Sequence, residues 1–337
     1  MDRRMLIVGA FAFLLTLLEA QEGVGLVESA PVSFDWSALA SLKTLQPEFV
    51  RGRLFVQHMD GPLNTTYSVY AQDGQLISRF KIDLPGVQQT IGGRITPLVN
   101  TDGYVAIAIA VQGSERVATL CFLDKSGKLL KVVKTSPFWP FLLTVADDGT
   151  IWAFGAAGSD ENPNSDAPLV YQFSNAGDVL GSSVPRKLFG QDPPFELSAD
   201  LGVAVIRSAG KRVVLYSPHT YQLLGLALDR SIIDSYTIKP PEVERRGQKT
   251  AGMMKMMGLT VTNEGTVYAR LTGGDGTGLY RLDRAAKRWI PLPSDVMEKV
   301  RSYSLIGSTA DELALIPATP HRQFVNLKRI RLTTLTP

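Results

Sequence analysis

A polar segment near the middle of the chain carries the most obvious candidates for metal binding. Within residues 156–168, five closely spaced side chains offer oxygen donors: Asp160, Glu161, Asn162, Asn164 and Asp166. Carboxylate and amide oxygens are the ligands that Ca²⁺ takes in proteins, but the segment lacks the regular spacing and the late glutamate of a recognisable calcium loop. A solvated polar loop is therefore the favoured interpretation, Ca²⁺ is the alternative, and no other cofactor is predicted.

Histidine and cysteine are the other residue types with ready chemistry, and their spacing predicts little of it. The three histidines are too far apart in the chain for a zinc motif. His58, Asp60 and His321 form one candidate site if the two ends of the chain are neighbours. Cys121 lies in the apolar run Val117–Leu123, which favours a small buried hydrophobe over a nucleophile.

Basic side chains provide further candidates for contact with a ligand or partner. Residues 230–255 carry a basic cluster that includes Arg245 and Arg246. This cluster would meet an anionic partner or the acidic segment, although a solvated loop is the simpler interpretation. Arg94 completes the set of candidate ligand-binding residues.

Motifs of the common catalytic classes are missing from the sequence. There is no Gly-x-Ser-x-Gly elbow, no Cys-x-x-Cys pair and no phosphate-binding loop. The glycine-rich run at 273–278 lies between two predicted strands with no helix after it, so it is interpreted as a hairpin loop. The methionines within Met253–Met257 have the soft donors that Cu(I) prefers, but the run leads into a strand, which favours core packing.

These residues are carried by a repeated β unit. Each unit reads as a strand, a tight turn of the Asp-Gly type, a second strand, a variable loop, a third strand, another turn and a fourth strand. One copy runs from Leu142 to Leu180 and another from Gly258 to Asp283. Glycine in the turns permits the positive φ that a tight hairpin demands. Helical patterns are limited to two short stretches, Asp35–Leu42 and Ser294–Val300.

Markers of the first turn recur at intervals typical of propeller blades. They are Asp102-Gly103, Asp148-Gly149, Asp200-Leu201-Gly202, Glu264-Gly265 and Asp311-Glu312, with an earlier unit around Asp73-Gly74. The sequence therefore predicts an all-β fold, a six-bladed β-propeller of four-stranded antiparallel blades in a single domain, residues 21–337. The predicted blades lie at about residues 46–87, 93–135, 138–185, 194–230, 256–294 and 302–334.

The strand pattern resembles the blades of six-bladed propellers of the NHL, SMP-30 and TolB-like types. It covers about residues 46–332 and is strongest around Asp148 and Glu264. The resemblance implies a fold and little else, because propellers host many unrelated activities. The metal-binding carboxylates and asparagine of the SMP-30 lactonases match no motif in this chain.

The last unit ends after its third strand, Phe324–Leu332, with no fourth strand behind it. Propeller rings are often closed by a strand from the other terminus, which removes an exposed edge. We therefore expect a segment near residues 24–34 to complete the last blade.

The blade pattern sorts the turns onto two faces of the disc. The short Asp-Gly turns lie on one face, whereas the loops between second and third strands and the connections between blades lie on the other. Both conspicuous insertions, residues 156–168 and 230–255, belong to the second face. Loops carry function on rigid scaffolds, so we expect the binding surface there.

The N-terminus predicts export. Arg3 and Arg4 precede an apolar run, Met5–Leu18, and Ala20 is a suitable small residue before cleavage. The run is shorter than the roughly 20 residues that span a bilayer, so we favour removal of residues 1–20. The alternative is an uncleaved N-terminal anchor that holds the protein on the outer side of the membrane. The expected location is secreted or periplasmic.

Charge and composition limit the partners. The chain has 35 Lys and Arg against 32 Asp and Glu, a formal net charge of +3, which is too small to predict nucleic-acid binding. We expect a monomer that binds a protein or small-molecule ligand without catalysis. The alternative is a metal-dependent hydrolase, similar to a lactonase, with carboxylates at the mouth of the central channel.

Overall fold

A computed structural model of the chain describes residues 23–28, 32–35, 45–59, 65–157, 166–189, 205–217, 221–243, 252–262, 265–273, 276–308, 312–317 and 324–335. Within these ranges the chain forms mainly antiparallel strands, one α-helix, α1 (Ser294–Val300), and a 3₁₀ turn at Arg186–Phe189. The helix α1 lies where the sequence predicts it. The other predicted helix, beyond Asp35, falls outside the described residues.

The first six strands of the chain belong to one large sheet. They are β1 (Gly23–Glu28), β2 (Val32–Asp35), β3 (Leu45–Val50), β4 (Arg53–Met59), β5 (Thr65–Tyr70) and β6 (Leu76–Lys81). Blades two and three follow as separate four-stranded sheets. Blade two contains β7 (Gln89–Pro97), β8 (Tyr104–Gln112), β9 (Glu115–Leu123) and β10 (Leu129–Lys134). Blade three contains β11 (Phe138–Val145), β12 (Ile151–Ala157), β13 (Pro168–Phe173) and β14 (Val179–Pro185).

Blades four and five are separated by a small two-stranded sheet. Blade four contains β15 (Val205–Ala209), β16 (Arg212–Ser217), β17 (Gln222–Ala227) and β18 (Ile232–Thr237). The small sheet pairs β19 (Glu242–Val243) with β20 (Gly252–Met253). Blade five contains β21 (Lys255–Val261), β22 (Val267–Thr272), β23 (Gly278–Asp283) and β24 (Arg288–Pro291). The last strands, which return to the large sheet, are β25 (Tyr303–Ser308), β26 (Glu312–Pro317) and β27 (Phe324–Leu335).

The prediction of six blades is wrong, because the structure has five. The units expected as the first and last blades join in one nine-stranded sheet, in the order β1-β27-β26-β25-β3-β4-β5-β6, with β2 also paired to β27. The join is a short parallel pairing of Gly307 with Phe49 and of Ser308 with Val50. The resemblance to known propellers therefore extends to antiparallel, four-stranded blades and not to their number.

An N-terminal segment pairs with the last strand of the chain. Strand β1 runs antiparallel to the end of β27, from Gly23 opposite Leu335 to Glu28 opposite Ile330. Strand β2 pairs with the start of the same strand. Residues from the segment expected near 24–34 thus form the outer edge of the large sheet.

Tight turns join the strands where the Asp-Gly pairs predict them. In blade three the Asp148 carboxylate accepts hydrogen bonds from the backbone N–H and the hydroxyl of Thr150, at 2.9 and 2.7 Å. Gly149 has a φ of +84°, which glycine adopts without strain. Blade four differs, because its first turn is formed by residues 210–211 and not by residues 200–202, which lie outside the described residues.

In two places, a threonine hydroxyl on the strand nearest the centre of one sheet contacts a serine hydroxyl on the corresponding strand of the next sheet. Thr144 on β11 donates to Ser208 on β15 at 3.2 Å, and Ser208 donates to the carbonyl of Val145 at 2.7 Å. Thr260 on β21 and Ser308 on β25 repeat the contact at 2.7 Å. These bonds satisfy polar groups at the centre of the disc and hold adjacent blades in register.

The apolar core lies between successive blades. Trp152 and Phe154 of blade three pack against Ile206 and Leu224 of blade four, and equivalent clusters fill the other spaces between blades. Cys121 is buried in the cluster between the large sheet and blade two. The interpretation of Cys121 as a small buried hydrophobe agrees with this position.

Cys121 should not react with Ellman's reagent in the folded protein at pH 8. Burial raises the pKa of its thiol to about 11, although a hydrogen bond with Thr119 partly opposes the shift. The reagent therefore cannot reach the sulfur atom, and almost none of the thiol is in the reactive thiolate form. We expect one equivalent of reactive thiol in guanidinium chloride and almost none in buffer. A full equivalent within the mixing time of the native protein would contradict the described packing.

Candidate functional site

The innermost strands of the sheets form a ring about the axis of the propeller, and the space along that axis is called the channel below. Each of β7, β11, β15 and β21 contacts the innermost strand that follows it, and β25 contacts β3. The large sheet therefore contributes two of these strands, β25 and β3. Side chains from β3 that reach β11 or β15 must cross the channel, because those strands are not neighbours.

One ion pair crosses the channel between the large sheet and blade four. Glu48 on β3 is only 8% exposed, and its Oε1 lies 2.7 Å from the Nη1 of Arg207 on β15. The two residues occupy equivalent positions, since each lies two residues before the last ladder pair of a hairpin with a two-residue turn. The geometry therefore brings equivalent points of non-neighbouring blades together on the channel axis.

Arg94 joins the same carboxylate from blade two. Its Nη1 lies 3.6 Å from Glu48 Oε2, which is an ion pair and longer than a hydrogen bond. Arg94 lies in a bulge of β7, because the register against β8 shifts between Gly92 and Ile95. Such bulges re-aim side chains and are common beside functional sites. Three predicted site residues are described, His58, Arg94 and Asp166, and of these only Arg94 belongs to this cluster of charges.

The bulge that carries Arg94 is held by side chains from the large sheet. Tyr67 donates its hydroxyl proton to the Gly93 carbonyl at 2.5 Å, and Thr65 donates to the Gly92 carbonyl at 3.3 Å. A Cβ on Gly92 would lie 2.5 Å from the Tyr67 hydroxyl, so only glycine permits this approach. Burial raises the pKa of Tyr67, which therefore remains a neutral donor. Tyr67 and Thr65 are positioning residues for Arg94.

The cluster of Glu48, Arg94 and Arg207, called the channel cluster below, holds two cations and one anion. Arg207 also donates to the carbonyl of Ile206 at 3.0 Å, but its Nε–H is buried and has no partner among the described residues. Burial lowers the pKa of Arg207, and the Glu48 carboxylate opposes that shift. The cluster therefore has unused hydrogen-bond donors and an excess of positive charge in a partly desolvated place.

A second ion pair crosses the channel at the end formed by the first turns. Arg51 Nη2 lies 2.7 Å from Asp147 Oδ1 and also donates to the carbonyl of Val145 at 3.0 Å. Arg53 and Asp102 form a similar pair at 3.3 Å between the large sheet and blade two. Acidic residues in these turns therefore also connect one sheet to another.

The other predicted site residues are dispersed or lie outside the described residues. Asp166 is exposed, and its Oδ1 lies 2.7 Å from the Nζ of Lys187, which follows the last strand of blade three. His58 is buried within the large sheet. The remaining candidates fall outside the described ranges: Asp60, Asp160, Glu161, Arg245, Arg246 and His321. The joint site of His58, Asp60 and His321 stays a prediction.

His58 belongs to a buried polar chain. Arg79 Nε donates to the Ser68 hydroxyl at 3.0 Å, and that hydroxyl lies 3.0 Å from His58 Nε2. His58 and Ser68 are each 1% exposed, so a substrate has no access to this serine and histidine. His58 Nδ1 has no partner among the described residues. The arrangement therefore stabilises the sheet and penalises a charged imidazole.

Stability should fall as the pH is lowered from 6.5 to 4, and His58 should account for much of the loss. Burial, and secondarily Arg79, lower the pKa of His58 from 6.5 to about 4. The unfolded chain then takes up a proton before the native protein does, so native stability is lost as pH falls through this window. At about 1.4 kcal/mol per pKa unit, the loss at pH 4 is about 3 kcal/mol.

Urea unfolding of the wild type and of His58→Gln from pH 7 to pH 4 measures this effect. The difference in unfolding free energy between the two proteins should change by about 3 kcal/mol across the window. Carboxylates titrate in both proteins and cancel in the difference. Parallel pH profiles would show that His58 is charged or exposed in the native state.

Clusters of metal-binding side chains are absent from the described residues. No three His, Cys, Asp or Glu side chains come together there in a way that suits a metal ion. Most of the acidic segment that would bind Ca²⁺ lies outside these ranges. The Ca²⁺ hypothesis therefore stays a prediction.

Sequence reasoning missed Glu48, Arg207 and the cross-channel pair of Arg51 with Asp147. One local signal was available, since Gly92-Gly93 within a strand is typical of a bulge and the next residue is Arg94. Glu48 and Arg207 carry no such signal. These two residues meet because the ring places the large sheet and blade four around a common axis.

The protein is therefore a β-propeller, and two arginines, Arg94 and Arg207, lie near its centre. Among solved structures, a Bacteroides fragilis protein described as exported is similar over 91% of this chain and 95% of its own, with a TM-score of 0.58 and 12% identity. This level of identity shows a common fold and no more.

Two weaker structural likenesses have TM-scores below 0.5. The β-propeller domain of the Trilobed protease from Pyrococcus furiosus covers 88% of this chain and 100% of its own at 10% identity, with a TM-score of 0.48. Virginiamycin B lyase from Staphylococcus aureus covers 92% and 100% at 9% identity, with a TM-score of 0.45. No protein-family model and no curated protein sequence matches the chain.

Proposed function

We propose that the protein is a non-enzymatic binding module that works outside the cytoplasm and takes a small ligand in its central channel. The channel cluster is the observation that carries this proposal. Three charged side chains from three blades converge there, and one buried N–H of Arg207 has no partner in the part of the chain that the structure describes. Buried polar groups are normally satisfied, so this donor supports a site where a ligand can supply a hydrogen-bond acceptor.

A rigid frame around the channel cluster supports binding. Arg94 is fixed by the bulge that Tyr67 and Thr65 hold, and Arg207 is fixed by Glu48 and by its own backbone. Donors that are positioned before the ligand arrives lose little conformational freedom on binding. The cluster contains no nucleophile and no general base beside its one carboxylate, which favours binding over catalysis.

Export is supported by the N-terminal sequence. Arg3, Arg4 and the apolar run after them predict a secretion signal. No helix among the described residues is long and apolar enough to cross a membrane. The Bacteroides fragilis neighbour is itself described as exported. When the chain is expressed in a Gram-negative host, we expect the protein in the periplasmic fraction with Gln21 as its first residue, as read by mass spectrometry.

Thermal-shift screening tests the binding proposal. The wild type should be stabilised by at least one member of a panel of sugars, amino acids, dicarboxylates, nucleotides and short peptides, and Arg94→Gln should lose that stabilisation. Arg53→Gln is the matched control, because Arg53 and Arg94 are 25% and 26% exposed and each pairs with one carboxylate. Equal stabilisation of both variants, or none for the wild type, would contradict a ligand site in the channel.

A further inference from the structure

We propose that the channel ligand is a small anion, a carboxylate or a phosphate, and that its anionic group competes with the Glu48 carboxylate for the same arginines. This inference rests on the proposed function and names the chemical class of ligand for that site. It makes Glu48 an internal competitor, whose carboxylate must yield donors of Arg94 and Arg207 to the ligand.

The charge of the channel cluster favours an anion. Two guanidinium groups face a single carboxylate, and Arg207 Nε–H has no partner among the described residues. Guanidinium groups bind carboxylate and phosphate through two parallel hydrogen bonds, a geometry that neutral ligands do not match. Because the surroundings are partly desolvated, attraction between such charges is stronger than in bulk water.

The hold of Glu48 on its two partners is unequal. Its Oε1 lies 2.7 Å from Arg207, whereas its Oε2 lies 3.6 Å from Arg94, which is beyond hydrogen-bond distance. The carboxylate divides its oxygens between two arginines and satisfies neither of them with a bidentate pair. Arg94 therefore retains donors that an entering anion can use first, and the anion then competes with Glu48 for Arg207.

This arrangement predicts opposite effects for the two kinds of residue in the channel cluster. Glu48→Gln removes the internal competitor and its repulsion while keeping the size of the side chain. Like charges about 5 Å apart at an intermediate dielectric repel strongly enough to change affinity by tenfold or more. We therefore expect Glu48→Gln to bind anions at least tenfold more tightly than the wild type, and Arg94→Gln at least tenfold more weakly.

The experiment measures binding of inorganic phosphate and of succinate by isothermal titration calorimetry, at constant ionic strength set with chloride. The proteins are the wild type, Glu48→Gln, Arg94→Gln and Arg53→Gln. Arg94→Gln should fold, because its side chain is partly exposed and its ion pair is long. We expect Arg53→Gln to bind within twofold of the wild type. Tighter binding of phosphate or of succinate identifies which type of anionic group the site prefers.

Two results would overturn the inference. The first is Glu48→Gln binding that is no tighter than that of the wild type, which would show that Glu48 does not compete. The second is equal weakening in Arg94→Gln and Arg53→Gln, which would indicate general charge attraction only. If instead a neutral sugar or peptide stabilises the protein and Arg94→Gln abolishes that effect, the channel site stands and the anionic class fails.

Discussion

Replacing Gly307 with alanine should destabilise the protein by about 4 kcal/mol, because it forces apart the two strands that join the ends of the chain. A Cβ at this position would lie 1.9 Å from the Phe49 carbonyl oxygen and 2.8 Å from its carbon. Both atoms are backbone, so no side-chain rotation relieves the contact. The clash falls on the parallel pairing of β25 with β3, and separation there opens the nine-stranded sheet.

Gly258→Ala is the graded comparison for this prediction. Its Cβ would lie 2.7 Å from the Leu305 carbonyl oxygen, with the next atom at 3.7 Å. A small backbone shift relieves that contact, so we expect a loss of about 1–2 kcal/mol. Urea unfolding followed by tryptophan fluorescence measures both variants. If Gly307→Ala is no less stable than Gly258→Ala, the strands β25 and β3 do not approach as described.

This contact also explains why the number of blades could not be predicted. Turn residues and alternating strands are local signals, and they located most of the hairpins in the chain. Pairing between Gly307 and Phe49 joins residues from opposite ends of the sequence through backbone atoms. No local pattern marks such a pairing, since glycine at Gly307 also suits an ordinary turn or bulge.

Blade four shows on a smaller scale that local turn signals do not determine which strands pair. Asp200-Leu201-Gly202 has the composition of a tight turn, but the described hairpin turns at residues 210–211, between Ala209 and Arg212. Both segments combine a glycine with a charged residue, Asp200 in one and Lys211 in the other. The choice between them depends on how Val205–Ala209 packs beside β11 and β21, which is a tertiary contact.

Little of the candidate site was expected from the sequence, and the ligand-binding role of its residues stays a prediction. Arg94 was among the expected ligand-binding residues, and it does lie in the channel cluster. Glu48 and Arg207 were not, because each is an ordinary charged residue within a strand. They come together only because the ring brings the Oε1 of Glu48 and the Nη1 of Arg207, from non-neighbouring blades, to 2.7 Å from each other.

Replacing Glu48 with alanine in the ligand-free protein should lower the free energy of unfolding by about 3 kcal/mol. Removal of one partner from a buried ion pair leaves the other charge uncompensated, at a typical cost of about 3–5 kcal/mol. Glu48 is almost fully buried, whereas Arg207 keeps some contact with solvent, so the lower end of that range applies. Arg94 and Arg207 would then repel each other across the channel without a carboxylate between them.

Asp147→Ala provides the control, because it also breaks an ion pair that crosses the channel. Asp147 and Arg51 are 52% and 33% exposed, so this loss should stay below about 1 kcal/mol. The double variant Glu48→Ala with Arg207→Ala should be no less stable than Glu48→Ala alone, since the unpaired cation is removed together with its partner. If Glu48→Ala and Asp147→Ala cost the same, water in the channel already screens the cluster. If the double variant loses the sum of both single effects, Glu48 and Arg207 act independently and the pair does not hold the channel together.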